Sequence, residues 1–142
     1  MPYKGAGAVL ADLMGNQVQA LITSVPTALP YIRSGKLRAL MVTGSERNAT
    51  LPDVPCAKEA GIPAMDIDYW IGIGAPAGTP AAAVARFNKE FNAALAQPQA
   101  SRKMAEMGLS VVANTPEQAT QWVQNEIQRW SAVIRQAGIK AD

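Results

Sequence analysis

The 142-residue chain is 49% hydrophobic and 17% charged, with a formal net charge of +2 and a mean hydropathy of zero. This is the composition of one ordinary globular domain, which can bury a core without disulfides or metals. The basic residues are scattered, histidine is absent and the single cysteine is Cys56. We therefore expect no nucleic-acid surface, no histidine-based catalysis, no zinc site and no intrachain disulfide.

Targeting signals are also missing from the sequence. No apolar run reaches the roughly 18–20 residues that a membrane-spanning helix needs. The stretch over residues 1–5 lacks the apolar region of a signal peptide, so we expect no export signal in this chain.

Short apolar runs alternate with helical patterns in the first half of the chain. Helices are predicted over residues 8–14, 27–34 and 56–60, the first stopped at Gly15 and the second at Gly35. Strands are predicted over residues 18–23, 37–43 and 68–75. This alternation predicts right-handed crossovers and a mostly parallel sheet.

The second half is predicted to be helical apart from one short strand over residues 109–113. Three helices are predicted, over residues 80–96, 98–107 and 116–137. Thr79 is expected to cap the first of them, and Thr115 with Gln118 forms a capping-box pattern for the last. The composition changes near Pro76, which predicts an α/β domain over residues 1–74 and a helical segment over residues 75–142.

Few residues have the pattern of a catalytic site. Asp66 and Asp68 would face the same side of a strand as an acid pair, but solvated carboxylates at a strand entrance are the simpler interpretation. Cys56 has no histidine to activate it, so we interpret it as a core residue. An enzyme would need a pocket that gathers one of these aspartates with Lys4. We predict no enzymatic activity, no cofactor and no bound metal.

Two segments are more typical of ligand contacts. The first is the Tyr-Lys-Gly-Ala-Gly stretch over residues 3–7, where glycines before a helix expose backbone N–H groups to an anion. The second holds Thr23, Ser24 and Thr27 at the end of a predicted parallel strand, where open α/β sheets bind ligands. Their hydroxyls could bond a carboxylate directly or through water. A simple turn and helix N-capping are the respective alternatives.

Several motifs occur in the order found in one receptor family. Residues 2–5 read PYKG, residues 12–18 read DLMGNQV and residues 26–40 read PTALPYIRSGKLRAL. LPDVP at 51–55, EAG at 59–61 and APAGTP at 75–80 continue the series. Taken together, the chain resembles the Bug (TctC-like) solute-binding receptors of tripartite tricarboxylate transporters along essentially its whole length.

The resemblance implies a type II periplasmic-binding-protein fold, with a ligand cleft between two α/β domains. Residues 1–74 resemble the second domain, and residues 75–142 resemble the C-terminal part of a truncated first domain. It also implies a periplasmic receptor that binds a small carboxylate and delivers it to a membrane permease. By position, the ligand-binding residues would be Tyr3, Gly5, Ala6, Gly7, Thr23, Ser24 and Thr27.

The truncation implied by the resemblance bears on the assembly of the chain. An apolar face without the missing strands needs cover, so we expect a homo-oligomer or a domain-swapped dimer. The predicted function is capture of a small carboxylate for a tripartite tricarboxylate transporter. The alternative is a truncated, non-binding remnant that self-association stabilises.

Overall fold

The computed structural model describes Tyr3 and residues 5–139. Its helices are α1 (Ala6–Met14), α2 (Val25–Arg33), α3 (Ala81–Leu95), α4 (Pro98–Glu106) and α5 (Pro116–Ala137), with a 3-10 turn at Pro63–Met65. Within these described residues, no helix is both long and apolar enough to cross a membrane.

The chain divides into two compact units. The first comprises the described residues up to Gly72 together with Pro98–Ser110, and the second comprises Ile73–Gln97 with the described residues from Val111 onward. The domain division expected at residues 74–75 stays a prediction.

The two helices of the N-terminal region follow the sequence signals closely. α1 ends where predicted, because the Gly15 N–H donates to the Ala11 carbonyl at 2.8 Å and Asn16 then adopts a left-handed φ of 57°. α2 begins two residues earlier than predicted, with Pro26 in its first turn, where a missing N–H costs nothing. Pro30 lies inside α2 without ending it.

A small hydrophobic core holds the first unit together. Leu29 of α2 packs with Val42, Leu51 and Cys56, which are all buried. Val25 and Ile32 of the same helix, with Ala39 and Val54, pack partly buried around them. The core therefore fixes α2, and with it the Ser24 end of the helix, against the loop over residues 42–56.

The predicted strands are not formed within the described residues. One isolated parallel bridge joins Val42 to Cys56, with the Val42 N–H donating to the Pro55 carbonyl at 2.9 Å. The four predicted strands, over residues 18–23, 37–43, 68–75 and 109–113, are not paired with one another. A strand is held by a ladder of hydrogen bonds to a neighbouring strand, and among the described residues this one bridge does not extend into a ladder.

Two local predictions need correction. Residues 56–60 form a single turn and not a helix: the Ala60 N–H donates to the Cys56 carbonyl at 2.9 Å, and Gly61 then reverses the chain with a φ of 78°. Thr79 does not cap α3, because its hydroxyl donates to the Pro76 carbonyl at 2.8 Å and Pro80 occupies the N-cap position.

The second unit is held by polar contacts between helix and loop. The side-chain amides of Asn88 and Asn92 on α3 both donate to the Asn114 carbonyl at 3.0 Å. The next residue, Thr115, starts α5 with the predicted capping box to Gln118, which is confirmed in both of its hydrogen bonds. No described residue of this unit is fully buried.

Candidate functional site

The first ligand-contact segment lies at the start of α1. Gly5 is the N-cap residue and has a φ of 131°, a conformation that only glycine adopts easily. No side chain caps α1, and its first turn contains no acidic residue. Space beside Gly5 and Gly7 is open, since a Cβ on either would meet nothing within 4 Å. The first N–H groups of α1 are therefore accessible to an anion, and the helix dipole favours one there.

Tyr3 is already engaged by a side chain of the same helix. Its hydroxyl donates to the Asp12 carboxylate at 2.8 Å. This hydrogen bond is the main cause that raises the pKa of Tyr3 above its ordinary value. The sequence offered no signal for this partner, because the two residues are nine positions apart and no regular helix or strand spacing pairs them. Lys4, which the enzyme hypothesis required, lies outside the described residues.

The second segment lies at the start of α2. Ser24 is the N-cap residue, but its side chain makes no capping bond to the helix backbone. Its hydroxyl oxygen instead lies 2.7 Å from that of Thr27, and both residues are half-buried. A hydroxyl pair uses one proton internally and leaves the other available to donate. The pair is therefore a preformed donor for a carboxylate oxygen. Thr23 is half-buried next to it.

The structure places all of these residues in the first unit. Within the described part of the chain, it joins Ser24 to Thr27 but makes no hydrogen bond between the first and the second segment. The assignment of the seven residues to one ligand site stays a prediction.

The acidic candidates Asp66 and Asp68 both lie near Gly44. Asp66 lines a shallow, open cavity of about 140 Å³ with Lys58, Ser45 and neighbouring backbone. The Asp68 carboxylate lies beside Gly44, 3.3 Å from where a Cβ would stand. Across the residues that the structure describes, no cluster of three potential metal ligands occurs.

An ion pair fixes the loop beside this cavity. Arg47 Nε donates to Glu59 Oε2 at 2.8 Å, and Arg47 Nη1 donates to the Pro52 carbonyl at 2.7 Å. The Cys56 N–H also donates to the same carboxylate at 3.0 Å. The hydrogen bonds that Glu59 accepts from Arg47 and Cys56, of which the one from Arg47 has the largest effect, lower the pKa of Glu59 to about 2. Arg47 lies twelve residues before Glu59 in the sequence, so helix or strand spacing could not predict this pair.

Known proteins of one family match this chain along its length. A family model described as the tripartite tricarboxylate transporter family receptor matches residues 1–139. Protein BugT of Bordetella pertussis is 38% identical over 140 residues, which are 99% of this chain and 43% of that protein. A UPF0065 protein from a tcbD–tcbE intergenic region of a Pseudomonas species is 33% identical and matches 100% of this chain and 43% of its own length. The chain thus spans less than half the length of these relatives.

Solved structures of similar fold lead to the same family. R. palustris Rpa4515 with adipate superimposes with a TM-score of 0.90 at 34% identity, over 98% of this chain and 46% of that one. MatC from Rhodopseudomonas palustris with bound malate gives a TM-score of 0.81 at 36% identity, over 94% and 47% of the two chains. The periplasmic binding protein BugD gives 0.89 at 33% identity, over 100% and 48%.

These matches confirm the expected fold class. The structure corresponds to about half of a type II periplasmic binding protein of the Bug type, and its described regular elements are helices. Because the family model matches residues 1–139, the chain belongs to the tripartite tricarboxylate transporter family of receptors.

Proposed function

We propose that this chain is a ligand-binding portion of an extracytoplasmic solute receptor that captures a small carboxylate for a tripartite tricarboxylate transporter. The observation that carries the proposal is the pairing of Ser24 and Thr27 hydroxyls at an uncapped helix start, 2.7 Å apart. Support also comes from similar structures, since Rpa4515 is described with adipate and MatC with malate.

Binding would use the starts of α1 and α2 together. The N–H groups that follow Gly5, in Ala6 and Gly7, would bond one carboxylate, because they have no intrahelical partner. The hydroxyls of the second segment would donate to a carboxylate oxygen, directly or through water. Tyr3 would contact the ligand from the edge of this site, while its hydroxyl stays hydrogen-bonded to Asp12.

The proposal extends to location and partners. Because similar proteins are periplasmic binding proteins, we place the working receptor in the periplasm, where it would pass its ligand to a membrane permease. No catalytic step and no cofactor is part of the proposed function. The expected domain division at residues 74–75 belongs to the same proposal.

A second candidate is a non-binding remnant stabilised by self-association, as a homo-oligomer or domain-swapped dimer. One specific observation favours it: large apolar side chains remain exposed in both units. Those with at least 60% exposure are Ile22, Leu40, Tyr69, Ile71, Ile73, Val112, Ile127 and Ile139. Such a surface is a common cause of self-association.

Thermal unfolding of the purified chain with adipate and malate tests both candidates. A ligand at about 100 times its dissociation constant stabilises the folded state by about 2.7 kcal/mol, which raises the midpoint by a few degrees. Light scattering on the same samples gives the oligomeric state. A rise with one acid supports the receptor. Unchanged midpoints for a well-folded oligomer would leave the remnant as the better account.

A further inference from the structure

A hydrogen-bond network connects the loop at residues 48–50 to the chain that follows α4. Asn48 is its centre: the side-chain oxygen accepts from the Thr50 N–H at 3.0 Å and from the Thr50 hydroxyl at 2.7 Å. The side-chain nitrogen donates to the Gly108 carbonyl at 2.9 Å, sixty residues away in sequence. Because the two bonds from Thr50 fix the orientation of the amide, its nitrogen is held towards Gly108. All three residues belong to the first unit.

The backbone that Asn48 holds lies against the start of α2. A Cβ added at Gly108 would stand 2.7 Å from Val25 Cγ1, so the glycine packs directly on that side chain. Val25 is the first residue of α2 and packs, partly buried, against the hydrophobic core. Because Val25 directly follows Ser24, the position of Gly108 limits where the N-cap residue can lie.

The hydroxyl pair of Ser24 and Thr27 depends on this first turn of α2. The N–H groups of Thr27 and Ala28 donate to the Ser24 carbonyl at 3.1 and 3.2 Å, so both hydroxyls move with the helix start. At the other end of α2, Arg33 Nη2 donates to the Glu106 carbonyl in an exposed and longer contact of 3.4 Å. The network around residue 48 therefore acts at the end of α2 that carries the hydroxyls.

We propose that Asn48 is a positioning residue for carboxylate binding, which acts through Gly108 and Val25 to hold the Ser24–Thr27 hydroxyl pair in its donating geometry. The proposal rests on the proposed function, since it takes the pair as a ligand contact. Binding groups are effective when packing and hydrogen bonds behind them fix their position. Here that support comes from a loop and a turn that are both distant from Ser24 in sequence.

Amide hydrogen exchange of the free chain tests the positioning without any ligand. Asn48→Asp removes the donor and keeps an acceptor oxygen, so it breaks the bond to Gly108. The amides of Thr27 and Ala28 should then exchange roughly fivefold faster, the equivalent of one hydrogen bond, and the Ser34 amide at the other end of α2 should change less. Equal acceleration along the whole of α2 would show a general loss of stability and would overturn the proposal, as would unchanged exchange.

Calorimetric titration with adipate and malate measures the consequence for binding. Asn48→Asp should weaken binding roughly two- to fivefold in the otherwise unmodified chain. Combined with Ser24→Ala, the same change should weaken binding little further, because the hydroxyl pair is already broken. Simple destabilisation, or repulsion of the ligand by the new carboxylate, would weaken binding equally in both backgrounds. Such an additive result contradicts the positioning role.

Asn88→Asp is the matched control. The Asn88 side chain also donates to a backbone carbonyl, that of Asn114 at 3.0 Å, and its oxygen also accepts a hydrogen bond, from Asn92 at 3.2 Å. It lies in the second unit, so the variant carries the same chemical change and the same added charge without altering the contacts of α2. Equal loss of binding in the two variants counts against the proposal.

A second variant and the ligand-free measurement keep the test decisive. Thr50→Val removes one of the two bonds that orient the Asn48 amide, so it should act in the same direction with a smaller effect, and it replaces Asn48→Asp if circular dichroism shows that variant to be unfolded. If the unmodified chain binds neither acid, the proposed function fails, and the exchange comparison alone then decides whether Asn48 positions the start of α2.

Discussion

Among the glycines of the described residues, Gly108 has the least space for a side chain. It has a φ of 77°, and a Cβ built there would stand 2.7 Å from Val25 Cγ1 and 2.9 Å from Thr50 Oγ1. Its carbonyl accepts a hydrogen bond of 2.9 Å from the Asn48 side chain. A glycine is needed both for the backbone angle and for the close approach of the chain after α4 to the start of α2.

Gly108→Ala should therefore be more destabilising than the same change at a glycine of similar angle. The left-handed conformation costs alanine about 1–2 kcal/mol at either position. Gly35 has a φ of 71° but nothing within 4 Å of a Cβ, so Gly35→Ala is the control. The overlap at Gly108 should lower the free energy of unfolding by about 1–3 kcal/mol beyond the control. Urea denaturation measures it, and equal losses would refute the close contact.

Ser24→Ala should weaken ligand binding without unfolding α2. The hydroxyl bonds to Thr27 and not to the helix backbone, so its loss removes a donor and no cap. One hydrogen bond is worth about 1 kcal/mol, which corresponds to roughly fivefold weaker binding of a carboxylate. Calorimetric titration measures this change. Ser34→Ala, at the other end of α2, should bind as the unmodified chain does. A similar loss in both variants would speak against the assignment of Ser24 to the site.

At the scale of elements, the hydrogen bonds around Glu59 stabilise the loop between Val42 and the turn at residues 56–60. The pKa of Glu59 is lowered from 4.5 to about 2, mainly by the hydrogen bond from Arg47. A carboxyl group with a lowered folded-state pKa contributes stability above its unfolded pKa, and that contribution is lost as pH falls through the folded pKa. The contribution should therefore disappear between about pH 4.5 and pH 2.

Glu59→Gln should remove this part of the acid sensitivity. Thermal midpoints measured from pH 6 to pH 2 should fall less steeply for the variant than for the unmodified chain, because glutamine does not titrate. Glu46→Gln is the control, since Glu46 is exposed and forms no ion pair with any described residue. Identical slopes for the Glu59 variant and the unmodified chain would show that the pair contributes nothing.

The predictability of the elements depended on whether their signals were local. The capping box at Thr115 and the end of α1 at Gly15 need only neighbouring residues, and both were predicted correctly. The strands were predicted from apolar runs such as residues 37–43, but pairing depends on segments distant in sequence or outside the match. The apolar runs therefore identified segments with strand propensity, but they did not identify the segments with which those would pair.

For the candidate site, the sequence predicted the position of the two segments but not their side-chain hydrogen bonds. Sequence motifs located the two segments, and the open glycine at the start of α1 fits the reason given for the first. The Tyr3–Asp12 bond and the Ser24–Thr27 pair depend on side-chain rotamers, which sequence spacing does not determine. The Arg47–Glu59 pair was missed for the same reason.

For the whole molecule, the two units differ in how their stability arises. The first unit has a buried core around Leu29 and Val42, while every described residue of the second remains at least partly exposed. If helix length and capping alone determined local stability, α5 would be the most stable helix. Local stability in proteins follows buried apolar contacts more than helix propensity.

Amide hydrogen exchange should therefore be slower in the middle of α2 than in the middle of α5. Burying one large apolar side chain contributes about 1.5–3 kcal/mol, so the difference should be at least roughly tenfold. The measurement needs the free chain at a concentration where light scattering shows a monomer. Slower exchange in α5 would mean that capping and the Asn88–Asn92 contacts outweigh the core.

Cys56 gives the first unit an internal probe of its own opening. The side chain is 3% exposed, and its Sγ donates to the Ser45 carbonyl at 3.3 Å. A thiol reagent can reach this sulfur only when the core around Leu29 and Leu51 separates. Because the chain has a single cysteine, the rate of its modification reports that one event, with no engineered label and no signal from the second unit.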